Sequence, residues 1–139
     1  MNDKFFIDTN IFVYTFDKTD KKKRQTANAL IKKALSNHVG CISFQVIQEF
    51  INVSTRKFEK PLSISDCQKY LRTVLTPLCE VFSSLDLYYR SLDIMERWRY
   101  SFYDSLIISA ALQAKCNLLY SEDLQHEHKI ESITIRNPF

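Results

Sequence analysis

Four carboxylates, Asp8, Glu49, Asp104 and Asp123, stand where apolar stretches of the sequence meet polar ones. Gathered by a fold, such groups repel by roughly 4 kcal/mol per close pair at about 4 Å in an intermediate dielectric, so a shared site demands a cation. Mg2+ takes oxygen ligands in octahedral geometry and keeps several waters. A few acids from separate segments therefore make an incomplete cage, with positions left for a substrate phosphate. An ion held that way lowers the pKa of bound water and stabilises a departing oxygen, which is the chemistry of phosphodiester hydrolysis. Asp8 and Asp104 are the expected direct ligands, Asp123 a direct or water-mediated one, and Glu49 a further ligand or the group that orients the attacking water. Thr9, Asn10 and Ser121 stand beside these acids as hydrogen-bonding support, and Glu122 adds a second acid next to Asp123.

Each acid alone has a plainer reading. Asp8 caps a helix at a strand exit, Asp104 completes a capping box, Glu49 is a solvated helix residue and Asp123 sits in a turn. Only their coincidence argues for a site. A metal-free route through His126 and His128 as acid and base is open in principle, but both read as exposed turn residues. Arg56 falls on the Glu49 side of its helix, where it serves either as a phosphate contact or as ordinary surface.

The elements that must position these groups follow from periodicity. Lys4 to Asp8 reads as a buried parallel strand with Asp8 at its carboxyl end, and Thr9 or Asn10 can cap the helix after it. Helical spacing runs from Asp20 to about Asn37, Gly40 resets the chain into a strand near Cys41 to Ser43, and Gln45 to Phe58 is helical again. Ser63 and Asp66 form a capping box for a helix through about Thr76, which Pro77 ends, and Cys79 to Phe82 is a third strand. After a helix from Asp86 to Arg99, Ser101 and Asp104 make another capping box. Ile108 and Ala111 lie four and seven positions on from Asp104, so this acid projects from an apolar face. Asn117 to Tyr120 and Ile133 to Arg136 are the last strands. Alternating strands and helices imply an α/β sandwich around a mostly parallel sheet, whose ligands collect outside the carboxyl ends of the strands.

The whole chain narrows the options. A length of 139 residues, 45% of them hydrophobic, supports one domain (residues 1–139) with a real core and not two. A net charge of +3 with clusters at Lys18 and Lys21 to Arg24, at Arg56, Lys57 and Lys60, and at Arg90, Arg97 and Arg99 fits a polyanionic partner. The run at Lys21 to Arg24 is equally read as the solvated start of a helix. One glycine in the chain excludes dinucleotide and P-loop sites, which need several. Cys41, Cys67, Cys79 and Cys116 show no C-x-x-C pairing and read as buried free thiols in a reducing cytoplasm. No signal sequence and no membrane-length apolar stretch is present in the sequence, so a soluble intracellular protein without a membrane partner is expected.

The order Phe5-Phe6-Ile7-Asp8-Thr9-Asn10, Gln48-Glu49-Phe50, Tyr103-Asp104-Ser105-Leu106-Ile107 and Leu119-Tyr120-Ser121-Glu122-Asp123-Leu124 resembles the PIN-domain nucleases, in particular the VapC-type toxins of toxin–antitoxin modules. The resemblance runs to the terminal Asn137-Pro138-Phe139. It implies a PIN-like three-layer sandwich, with Asp8, Glu49, Asp104 and Asp123 as the family's acidic quartet binding Mg2+ or Mn2+. It also implies endoribonuclease cleavage of structured RNA, often transfer or ribosomal RNA, by a homodimer silenced by a cognate antitoxin. The last motif departs from the common Thr-x-Asp: Ser121 replaces the threonine, and either Glu122 or Asp123 faces the metal. A phosphatase of the haloacid-dehalogenase kind would want a second acid where Asn10 stands. An RNA-binding PIN-like module with a degenerate catalytic site is the alternative function.

Overall fold

Phe5, Phe6 and Ile7 form β1, and all three are buried. A strand buried on both faces belongs inside a parallel sheet, and β1 pairs in parallel with β2 (Gly40–Ser43) on one side and β4 (Leu118–Tyr120) on the other. The computed structural model describes residues 3–139. Its six-stranded sheet has the order β3-β2-β1-β4-β6-β5, with β3 at Cys79–Val81, β5 at Lys129–Ile130 and β6 at Ile133–Arg136. Every pairing is parallel except the β5–β6 hairpin. The α/β class with a mostly parallel sheet flanked by helices is thus the observed one.

Helices α1 (Thr9–Tyr14) and α2 (Lys21–Asn37) connect β1 to β2, while α3 (Phe44–Arg56), α4 (Ile64–Tyr70) and α5 (Thr76–Leu78) lead to β3. Helices α6 (Leu85–Trp98) and α7 (Phe102–Gln113) then return the chain to β4. The strands step outward from β1 to β3 and resume on the opposite side of β1. Right-handed crossovers accordingly lay α1–α5 over one face of the sheet and α6–α7 over the other. The reversal falls between β1 and β4, and their carboxyl ends border the crevice where doubly wound sheets collect ligands.

Three local features depart from expectation or explain it. Gly40 is required by close approach: a Cβ there would collide with Cβ of Ala34 on α2 and come within 2.9 Å of the Phe5 ring. Pro77 does not end its helix. Residues Leu71–Leu75 form a π-helical turn in which Thr76 N–H bonds the Leu71 carbonyl, and α5 continues past the proline. A widened turn accommodates a ring that lacks an N–H and would crowd the carbonyl four residues back. Strand β5 was not expected, because its two residues lie in a turn-rich stretch; it closes the sheet edge by pairing with β6. The four cysteines are free, and Cys41 and Cys116 bring their Sγ atoms to 3.4 Å in the core.

Candidate active site

Asp8 ends β1 and opens α1. Its extended backbone (φ −73°, ψ 160°) places it at the N-cap, where Oδ1 accepts the Thr9 N–H at 2.7 Å. Its own N–H donates to the Tyr120 carbonyl at 3.0 Å, stitching the β1 exit to β4. Oδ2 accepts the Ser121 hydroxyl at 2.7 Å. The residue is only 8% exposed, and among the described residues no lysine, arginine or histidine forms an ion pair with it. Burial pushes its carboxyl up to about 6; the two hydrogen bonds oppose this, and the nearby charges of Glu49 and Asp123 add to it.

The next two residues of α1 reach the other acids. The Thr9 hydroxyl donates to Glu49 Oε1 at 2.6 Å, and Asn10 Nδ2 donates to Asp123 Oδ2 at 2.6 Å. Ser121 also accepts the backbone N–H groups of Asp123 and Leu124, each at 3.3 Å, which shapes the turn that presents Asp123. Asp8, Glu49 and Asp123 are therefore drawn to one sheet end, Asp8 with both carboxylate oxygens hydrogen-bonded (Thr9 N–H and Ser121) and Glu49 and Asp123 with one each (to Thr9 and Asn10).

Asp104 arrives differently. Ser101 caps α7 by accepting the Asp104 N–H at 3.2 Å, the expected half of a capping box. Its half-buried side chain makes no hydrogen bond or ion pair among the described residues. Gln45, on α3 one turn before Glu49, donates from Nε2 to the carbonyl of Tyr103 at 3.1 Å and so joins α3 to the start of α7. Among the described residues no three acidic, histidine or cysteine side chains close around a common point. The donor set is nonetheless of the hard oxygen type that suits a divalent cation, and one of its members, Asp8, is buried without an ion-pair partner among the described residues.

The remaining predicted residues separate cleanly. Glu122 turns away from Asp8: its Oε1 accepts the Tyr14 hydroxyl at 2.7 Å and its Oε2 the Lys23 ammonium at 3.1 Å. Lys23 also lies over the rings of Tyr14 (4.7 Å) and Phe139 (5.4 Å). Arg56 is exposed in the last turn of α3, about 10 Å along the helix from Glu49, and is not brought against the acids. His126 is exposed, and its Nδ1 accepts the Asn137 N–H at 2.9 Å. His128, expected as an exposed turn residue, is instead half-buried between Trp98 and Tyr100, with Nδ1 2.7 Å from the Tyr100 hydroxyl. Each imidazole thus has its Nδ1 hydrogen-bonded, one to a backbone N–H and the other to a tyrosine hydroxyl. The partners Tyr14 and Lys23 of Glu122 and the Gln45 tether to α7 escaped sequence reasoning, since each joins residues tens of positions apart.

The PIN domain family model matches residues 5–130. The chain belongs to the PIN domain family. No curated protein matches the sequence significantly. Among solved structures, a toxin–antitoxin complex from Klebsiella pneumoniae shares the fold of this PIN domain with a TM-score of 0.70 at 16% identity, covering 98% of each chain. VapC20 of Mycobacterium tuberculosis, a sarcin-ricin loop cleaving toxin, gives 0.64 at 19% identity over 86% of this chain and 90% of that one. VapBC2 of Rickettsia felis, solved with a fragment of its promoter DNA, gives 0.60 at 20% identity over 96% and 97%. Identities this low carry the fold, which agrees with the architecture expected from the four motifs. No helix among the described residues is long and apolar enough to cross a membrane.

Proposed function

We propose that this PIN domain is a metal-dependent endoribonuclease, the toxin component of a toxin–antitoxin module, acting in the cytoplasm as a homodimer held silent by its cognate antitoxin. The observation that carries the chemistry is Asp8: a buried carboxylate without a cationic partner, flanked by Glu49 and Asp123 at the switch point of a parallel sheet. Toxin–antitoxin assemblies among the structural neighbours support the biological role, and VapC20, a sarcin-ricin loop cleaving toxin, supports the substrate class.

Mg2+ or Mn2+ bound there supplies a water of lowered pKa and positive charge opposite the phosphate. Asp8, Asp104 and Asp123 would hold it. Glu49, fixed by Thr9, would bind as a further ligand or orient the incoming water, and Ser121 and Asn10 keep the Asp8 and Asp123 oxygens from rotating. Asp123 is the member of the acidic pair assigned to the metal, because Glu122 is occupied by Lys23 and Tyr14. Arg56, outside the crevice, is assigned to a phosphate farther along the strand.

Digestion of total RNA with and without chelator tests this reading. Purified protein should cut with Mg2+ or Mn2+ and stop with chelator, Asp104→Asn should fall to background with an intact fold, and the products should carry 5′-phosphates. Salt-sensitive RNA binding with no cutting in any metal would instead identify a binding module with a degenerate site. Products ending in 2′,3′-cyclic phosphate would point to imidazole chemistry.

A further inference from the structure

Beyond the four acids, the seam between α3 and α7 holds buried polar groups. Gln45 is 3% exposed, and its amide donates to the Tyr103 carbonyl at 3.1 Å. Tyr103 precedes Asp104, and Gln45 precedes Glu49 by one helical turn on the same side of α3. This is the one hydrogen bond among the described residues that ties the helix bearing Glu49 to the turn bearing Asp104. The Tyr103 carbonyl needs no such donor for its own sake, since in the second position of α7 it already accepts within the helix. The Gln45 Oε1 atom, the Ser43 hydroxyl just before α3 and the Ser105 hydroxyl just after Asp104 are all buried and make no hydrogen bond among the described residues. A seam concerned only with stability would be apolar here, because burying polar groups with unused capacity is costly.

We propose that Gln45 is a positioning residue for the metal site: its bond to the Tyr103 carbonyl fixes the first turn of α7 against α3, and so sets where the Asp104 carboxylate stands relative to Glu49 and Asp8. The inference rests on the metal-dependent reading above. Asp104 depends on this bond more than the other acids do on theirs, because its side chain has no hydrogen-bonding partner among the described residues. Loss of the tether leaves every ligand present and the α7 cap intact while the first turn of α7 is free to shift.

The test is calorimetric titration of Mn2+ into the metal-free, full-length protein, with the metal-free melting temperature measured alongside. Gln45→Met keeps the length and shape of the side chain and removes the donor, together with an acceptor that was unsatisfied anyway. The expected result is Mn2+ affinity weakened about 10-fold or more, the scale for a group that orients a ligand, with the melting temperature unchanged. Should Gln45→Met fail to fold, Gln45→Asn is titrated in its place; it keeps the amide but is too short to reach Tyr103, and the same weakening is expected. Equal Mn2+ affinity in the wild type and the folded variant overturns the inference while leaving the functional reading standing. A wild-type protein that binds no Mn2+ overturns both, and the two failures are distinguished by the wild-type trace alone.

Discussion

Two carboxylates at the borders of β1 and β4 meet opposite surroundings. Glu122, at the outer corner, receives a tyrosine hydroxyl and a lysine whose ammonium lies over two aromatic rings. Asp8, at the crevice, receives only neutral donors, and two further negative charges lie near it. The outer pair is self-sufficient: opposite charges at 3.1 Å satisfy each other and close the corner. The crevice is unfinished as a piece of electrostatics, since burial and repulsion both disfavour its charge. A chain that supplies a counter-ion at one border and withholds it at the other leaves uncompensated negative charge at the second, which is what the metal site proposed above requires.

The largest consequence is in pH. Asp8 keeps its proton more tightly folded than unfolded, so it contributes stability below about pH 4 that is lost as pH rises through about 6. A carboxyl moved from 3.8 to about 6 makes that loss about 3 kcal/mol. Urea unfolding of metal-free protein should therefore show falling stability between pH 4 and 7. Asp8→Asn should remove most of the fall, and a divalent cation should restore stability near pH 7. A wild-type profile that is flat or rising across that window, after subtraction of Asp8→Asn, would remove the contrast between the two borders. Next in size, Ser121→Ala frees one Asp8 oxygen and should weaken Mn2+ binding by about 10- to 100-fold, read by titration of the folded variant. The smallest effect belongs to the outer corner. Glu122→Gln should cost at most about 1 kcal/mol, the range for a partly exposed ion pair, and leave Mn2+ affinity as it was; a large loss of affinity would show that Glu122 serves the crevice after all.

Most elements are legible along the chain because each rests on local physics. The burial of Phe5 to Ile7, the caps at Ser63 and Ser101 and the apolar length of α7 are all short-range signals, and each is found where the periodicity puts it. Asp8, Thr9 and Asn10 are three consecutive residues whose neighbours stand 40 to 113 positions away. Sequence order alone marks them as a junction and leaves the pairing open. The allocation of Glu122 to Lys23 and of Asp123 to Asn10 likewise needed the β4 exit to be seen beside α1 and α2. His128 read as exposed for the same reason: nothing local announces that Trp98 and Tyr100 come to flank it. The lysine run at the start of α2 also becomes clear only in three dimensions. Cations at a helix N-terminus work against the helix dipole, and here Asp20 caps that end by accepting the Lys23 N–H at 3.0 Å while Lys23 itself is directed to Glu122.

Gly40 gives the helix α2 a mechanical meaning. Near its last turn α2 rests Ala34 directly on the bare backbone of β2, and near its first turn it carries Lys23. The helix spans 17 residues, about 25 Å, so it behaves as a stiff beam seated at one end and hooked at the other. Even a methyl group on β2 at that seat would act as a shim, tilting the beam and straining the hook at Glu122, one residue before Asp123.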